Sequence, residues 1–188
     1  GDLLKGQVYA LGRQINKEAG RAIIPEEIFD VMPSAELSDS QDVDEGLGDP
    51  FWYDYHDQIV KAFVENLEEP EQLLAAYIDG TLEKKFGLPF GSIRTYFATV
   101  GMKSGNRRSR EETHAAFVED LEMKWKLFNN VVFKRYQGPP IIKVSSRAFG
   151  YDFHESQVKS HITRKYTADK AYLFSSEGMS LLPEEQAA

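Results

Sequence analysis

The 188-residue chain contains no cysteine, and that removes several chemistries at once. Within it there can be no disulfide, no thiolate zinc site and no cysteine nucleophile. Long apolar runs are missing too: none approaches the roughly 18 residues of a membrane-spanning helix. No basic-then-apolar signal segment opens the chain. Positive charge is in deficit, with 22 Lys and Arg against 30 Asp and Glu and a net charge of −8. A general nucleic-acid binder needs a broad cationic face to displace phosphate counterions, so that class is disfavoured. A nucleotide site survives, because a few well-placed cations suffice for one phosphate chain. No H-E-x-x-H, G-x-S-x-G, Walker or G-x-G-x-x-G pattern occurs.

What is present can fold. Hydrophobic residues make up 41% and aromatics 12% of the chain, ample for a packed core and too much for a disordered tail. The length fits one domain or slightly more. The chain opens at Gly1 without a methionine and reads as a helix start by Asp2, so the expectation is a fragment of a larger cytoplasmic protein.

Helical patterns dominate. Asp2 is a plausible N-cap, with Leu4, Val8, Leu11 and Ile15 at helical spacing and a stop near Gly20. Pro25, Glu26 and Glu27 make a good first turn, predicting a short helix with Ile28 and Phe29 inward. Residues 34–49 are acidic and glycine-containing, a length of loop that is usually a lid, a binding loop or disordered. Asp49 and Pro50 restart a helix with Trp52, Tyr55, Ile59, Ala62 and Phe63 on its inner face. Pro70 opens another, carrying Leu73, Leu74, Tyr77, Ile78, Leu82 and Phe86 to a stop at Gly87. Ser92–Val100 suits either a strand or a helix, and the Ile93, Phe97, Val100 stripe favours helix. Residues 103–110 form a basic turn, and Ser109 with Glu112 is a capping box. The next helix carries Phe117, Leu121, Trp125 and Phe128 and runs to about Tyr136. After Gly150 the pattern weakens, with one helix expected around Ala168–Phe174.

Three places carry candidate chemistry, each with a bland reading beside it. Lys5 falls in the first turn of the opening helix, where a cation opposes the macrodipole by roughly 0.3–1 kcal/mol. A phosphate in front of the helix would explain it; so would an exposed lysine with its stem packed. Pro33-Ser34-Ala35-Glu36-Leu37 and the following acids read as a lid over ligand or as a solvated connector. Their spacing lacks the pattern of a calcium loop. Phe133-Lys134-Arg135 ends a helix favourably in any case, and the two cations also suit a carboxylate or pyrophosphate. Histidines 56, 114, 154 and 161 share no spacing, and His56 and His114 read as ordinary surface or core-edge residues. No metal ligand set is apparent.

Taken in order, G-D-L-L-K-G-Q-V-Y at 1–9, I-P-E-E-I at 24–28, P-S-A-E-L at 33–37, D-E-G-L-G at 44–48, F-K-R-Y-Q-G-P-P at 133–140 and K-V-S-S-R-A-F-G at 143–150 resemble the NAD synthetases. The last run resembles the version carrying a glutamine-hydrolysing domain. The resemblance implies that residues 1–155 are the C-terminal portion of an α/β, Rossmann-like PP-loop synthetase domain, this chain being its mainly α-helical part. Residues 156–188 would be a terminal appendage. The Ser-Gly-Gly-x-Asp-Ser phosphate loop, most ligands of Mg2+ and the amidase domain would all lie upstream.

Carried over residue by residue, the resemblance makes Lys5 the ATP-contacting and catalytic lysine. It makes Ser34 an ATP contact and Lys134 a deamido-NAD contact. Phe133 stands where some relatives have histidine, and a phenyl ring cannot donate the same hydrogen bond. The implied substrates are deamido-NAD, ATP and ammonia, or glutamine through the amidase domain. The synthetase domains would dimerise, with no nucleic-acid or membrane partner. A helical dimerisation or docking module without catalysis is the alternative.

Overall fold

The computed structural model describes residues 2–31, 33, 49, 51–103, 105–130, 142, 144, 145 and 161–181. Among them the secondary structure is entirely helical. Two compact units divide the chain, residues 2–57 and residues 58–188, the boundary falling inside one helix.

In the first unit, α1 (Lys5–Ala19) starts two residues later than the sequence predicts. Leu4, not Asp2, is the N-cap. Its N–H donates to Gln7 Oε1 at 2.8 Å, so the third helical residue reaches back to satisfy a donor that Asp2 is too far upstream to serve. The stop is as expected: Gly20 takes a left-handed φ of 64°, and its N–H donates to the Lys17 carbonyl.

The inward face of α1 differs from the apolar stripe. Val8, Leu11 and Ile15 are exposed. The packed side runs through Tyr9, Gly12, Arg13 and Asn16, which also has helical spacing but offers few aliphatic groups. A Cβ on Gly12 would stand 2.7 Å from Phe29 Cε1, so the glycine is what lets the ring in. Tyr9 meets Phe29 edge-on at 6.0 Å, and the Arg13 guanidinium lies 4.7 Å from its centroid. Asn16 fixes the turn after α1: its Oδ1 accepts the N–H groups of Ile23 and Ile24, and its Nδ2 donates to the Ile24 carbonyl. The short α2 (Glu27–Asp30) follows. Phe29 is buried as expected, but Ile28 points outward, because one helical turn can aim only one of two adjacent side chains at its neighbour. Helix α3 (Tyr53–Val64) begins within this unit and buries Tyr55.

The second unit takes the rest of α3, then α4 (Pro70–Ile78), α5 (Leu82–Phe86), α6 (Ser92–Thr99), α7 (Arg110–Asn130), α8 (Arg164–Leu173) and α9 (Ser176–Leu181). The stretch predicted as one helix over 70–86 is broken into α4 and α5, because Gly80 takes a φ of 68°. Ser92–Thr99 is helical, as the stripe favours. Ser109 and Glu112 form the expected reciprocal cap, Ser109 N–H to Glu112 Oε2 at 2.8 Å and Glu112 N–H to Ser109 Oγ at 3.2 Å.

Helix α4 is central, packing on α5, α7 and α8, while α6 lies on α7 and α9 on α8. Leu73, Leu74, Ile93, Leu121 and Leu173 are fully enclosed. Tyr77 stacks on Phe117 at 3.9 Å, and Phe97 meets the same ring edge-on at 5.6 Å. Phe63 and Trp125 add a second aromatic contact at 5.0 Å. Helix α8 is tied in by polar contacts as well: the Thr163 hydroxyl donates to Glu71, and Tyr166 Oη and Lys170 Nζ both donate to Glu122 Oε1.

His114 lies deeper than a core-edge residue. It is 1% exposed, because it shares the face of α7 that carries Phe117, Val118, Leu121 and Trp125. Its Nδ1 shares a hydrogen bond of 2.8 Å with Tyr77 Oη, and its buried Nε2 has no hydrogen-bond partner. Arg94, also buried, lies 5.4 Å from the Tyr77 ring centroid and donates to the Tyr77 carbonyl at 3.4 Å.

Candidate functional site

Of the three residues expected to touch nucleotide, only Lys5 lies within the described residues; Ser34 and Lys134 do not, nor does Phe133. The candidate site is therefore the start of α1. Lys5 is its first residue and is half-buried, with Nζ held 5.2 Å from the Tyr9 centroid, one turn on. The aromatic face partly compensates an ammonium that the helix end would otherwise repel.

A carboxylate reaches the same turn from a distant part of the sequence. Asp57, on α3, accepts the Gly6 N–H at 2.7 Å. It is buried, and a buried carboxylate is costly unless hydrogen-bonded and near positive potential, both of which the first turn of a helix supplies. Gly6 permits the approach: a Cβ there would stand 3.3 Å from Asp57 Oδ2. One turn before Asp57, Tyr53 donates to Asp49 Oδ2 at 2.6 Å. Burial, then this bond, then the charges of Asp49, Tyr9 and Asp57 push the Tyr53 hydroxyl well above its ordinary range. It stays protonated, and stays a donor, throughout neutral pH.

This end of α1 thus carries a cation held on an aromatic face, with the N–H groups of Leu4 and Gly6 already engaged by Gln7 and Asp57. Asp57 and Tyr53 escape a reading that treats each helix alone. A signal was nonetheless present: Asp49, Tyr53 and Asp57 recur every fourth residue, which places the last two on one face of α3. Among the described residues no cluster of three or more carboxylate or imidazole groups stands together to hold a metal ion.

Comparison with known proteins meets this geometry. Residues 1–86 match the family described as NAD synthase, and the chain resembles a part of an NAD synthetase. The glutamine-dependent NAD(+) synthetase of Thermotoga maritima is 36% identical over 78 residues, covering 42% of this chain and 13% of that protein. The chain therefore spans about one eighth of the length of the curated relative it matches. No solved structure matches it. The family match includes Lys5, Ser34, Tyr53 and Asp57 and ends before Lys134, so Lys134 stands on the F-K-R-Y-Q-G-P-P motif alone.

Proposed function

We propose that this chain is part of an ATP-dependent amide ligase that converts deamido-NAD to NAD, and that residues 1–155 belong to its synthetase domain. The carrying observation is that the family match includes a lysine built into the first turn of α1, its ammonium on Tyr9 and the adjacent amide on Asp57. In this reading the nicotinate carboxylate of deamido-NAD attacks the α-phosphate of ATP, pyrophosphate leaves, and ammonia then displaces AMP from the adenylate. Such a reaction asks the protein to hold two polyanions in line and to meet charge as it develops. Lys5 is suited to that task, because a cation on a packed helix loses little freedom on binding. Ser34 contacts ATP and Lys134 contacts deamido-NAD, each by family likeness.

The parent fold is then a Rossmann-like PP-loop domain, cytoplasmic and dimeric, its nitrogen coming from free ammonia or, through an amidase domain, from glutamine. Mg2+ belongs to that chemistry, but the described residues do not fit a site for it on their own. In this reading most of its ligands lie upstream of the chain.

A second reading, a docking or dimerisation module, is favoured by the exposed Val8, Leu11 and Ile15 on α1. Two measurements test the ligase reading, and the second separates it from the docking module. The chain alone, given deamido-NAD, ATP and ammonia, is expected to form no NAD; steady turnover would overturn the requirement for upstream residues. In the complete ligase, Lys5→Ala is expected to slow adenylate formation roughly a hundredfold or more, and a near-wild-type rate removes Lys5 from the site.

A further inference from the structure

The first turn of α1 is not capped from its own N-cap side chain. The leading N–H groups of a helix have no partner further back along it. The side chain that ordinarily accepts one of them is a Ser, Thr, Asp or Asn at the N-cap. Leu4 stands at that position, and its isobutyl group accepts nothing. The Gly6 N–H is taken instead by Asp57 Oδ2 at 2.7 Å, from 51 positions away. Asp57 is 7% exposed, and Tyr55, two residues before it on α3, is 1% exposed. A carboxylate carried on a packed helix is thus the cap of a turn that its own sequence leaves open.

Lys5 is the first residue of the helix and immediately precedes the bonded amide. Helix ends fray unless they are held, and a frayed turn carries the lysine stem away with the backbone. The ammonium lies 5.2 Å from the Tyr9 centroid, a contact that needs residues 5 and 9 to stand one helical turn apart. The Asp57 bond therefore acts on the ammonium through the backbone. It has a second effect on any phosphate brought to this end of α1. The Gly6 N–H already faces a carboxylate, so that amide is not offered to the anion, and the ammonium is the group left to meet it.

Taking Lys5 as the ATP lysine of the ligase reading above, we propose that Asp57 is its positioning residue. Its carboxylate caps the first turn of α1 and so sets where the ammonium meets phosphate. The test is single-turnover adenylate formation by the complete ligase at saturating ATP and deamido-NAD, read as pyrophosphate release. Asp57→Ala is expected to slow this step about tenfold, and Asp57→Asn, which keeps an acceptor for Gly6, less than about threefold. In a Lys5→Ala background, Asp57→Ala should change the rate less than about twofold, because residues that act as one unit are not additive. Each variant is assayed at a temperature where far-UV circular dichroism shows it folded, and a merely structural loss would slow both backgrounds alike. A near-wild-type rate for Lys5→Ala alone would remove the ligase reading of Lys5, and the proposal with it. With that variant slow, a wild-type rate for Asp57→Ala, an equal loss in both backgrounds, or an Asn variant as slow as the Ala variant would each overturn the positioning role alone. Amide exchange in the unsubstituted chain supplies a check that needs no variant. Gly6 should exchange at least about tenfold more slowly than in the unfolded chain, and exchange at the unfolded rate would overturn the cap itself.

Discussion

Acidification should weaken the second unit by an amount set largely by His114. Burial, then the nearby Arg94 and Arg110 charges, lower its pKa from 6.5 to about 4. The unfolded chain binds a proton near pH 6.5, while the folded chain refuses it until about pH 4. Above pH 6.5 both states hold neutral imidazole, and stability from this source is constant. As pH falls from 6.5 to 4 the unfolded state alone gains a proton, so stability declines. Below 4 the loss levels off. At about 1.36 kcal/mol per tenfold change in proton affinity, the whole decline is roughly 3 kcal/mol, a large share of the 5–15 kcal/mol typical of a domain.

Carboxylates titrate in the lower half of the same window, so the comparison must be a difference. A Tyr77→Phe, His114→Phe double variant removes both polar partners without leaving one of them stranded. Urea unfolding followed by far-UV circular dichroism, at half-unit steps from pH 7.5 to 4, should show the wild-type curve falling about 3 kcal/mol more than the variant. Parallel curves, or an imidazole resonance of His114 titrating near 6.5, would refute the reasoning.

Other substitutions probe the two units separately. Gly12→Ala should destabilise the first unit by about 1–2 kcal/mol despite better helix propensity, because the Phe29 ring is pinned between Tyr9 and Arg13; faster amide exchange in α1 is the readout. Asp57→Ala should cost a comparable amount through loss of the Gly6 bond, and Asp57→Asn, which keeps an acceptor, clearly less; their melting temperatures give the order. Gly178→Ala should release α9 from α8, since a Cβ there would fall 2.1 Å from the Tyr172 carbonyl oxygen. Limited proteolysis is then expected to cut near residue 178 in the variant and not in the parent chain.

Most helices were legible because their signals are local. Proline at the first position of α4, the Ser109–Glu112 cap and left-handed glycines at 20 and 87 act within a few residues. The break at Gly80 was not, because a lone glycine inside an apolar pattern is equally compatible with a continuous helix. The inward face of α1 departs from its apolar stripe for a different reason. Hydrophobicity picks out Val8, Leu11 and Ile15, yet the contact partner is one ring, and what a ring needs is a missing side chain at position 12. The candidate site was half legible: Lys5 stood out as a cation in the wrong turn. Its supporting carboxylate comes from another helix, and pattern within a single segment cannot see across that distance. Lys5 is singled out by the order of the motifs, which reaches further along the chain than any periodicity.

The bond from Gly6 to Asp57 closes a loop of 51 positions, and this sets how the protein can be dissected. A peptide ending anywhere between residues 7 and 56 keeps the lysine but loses the carboxylate that orients its turn. Synthetic α1 alone is therefore a poor surrogate for the site, whatever its helix content. The shortest piece that can present Lys5 as the folded chain does must extend through Asp57, into the second turn of α3.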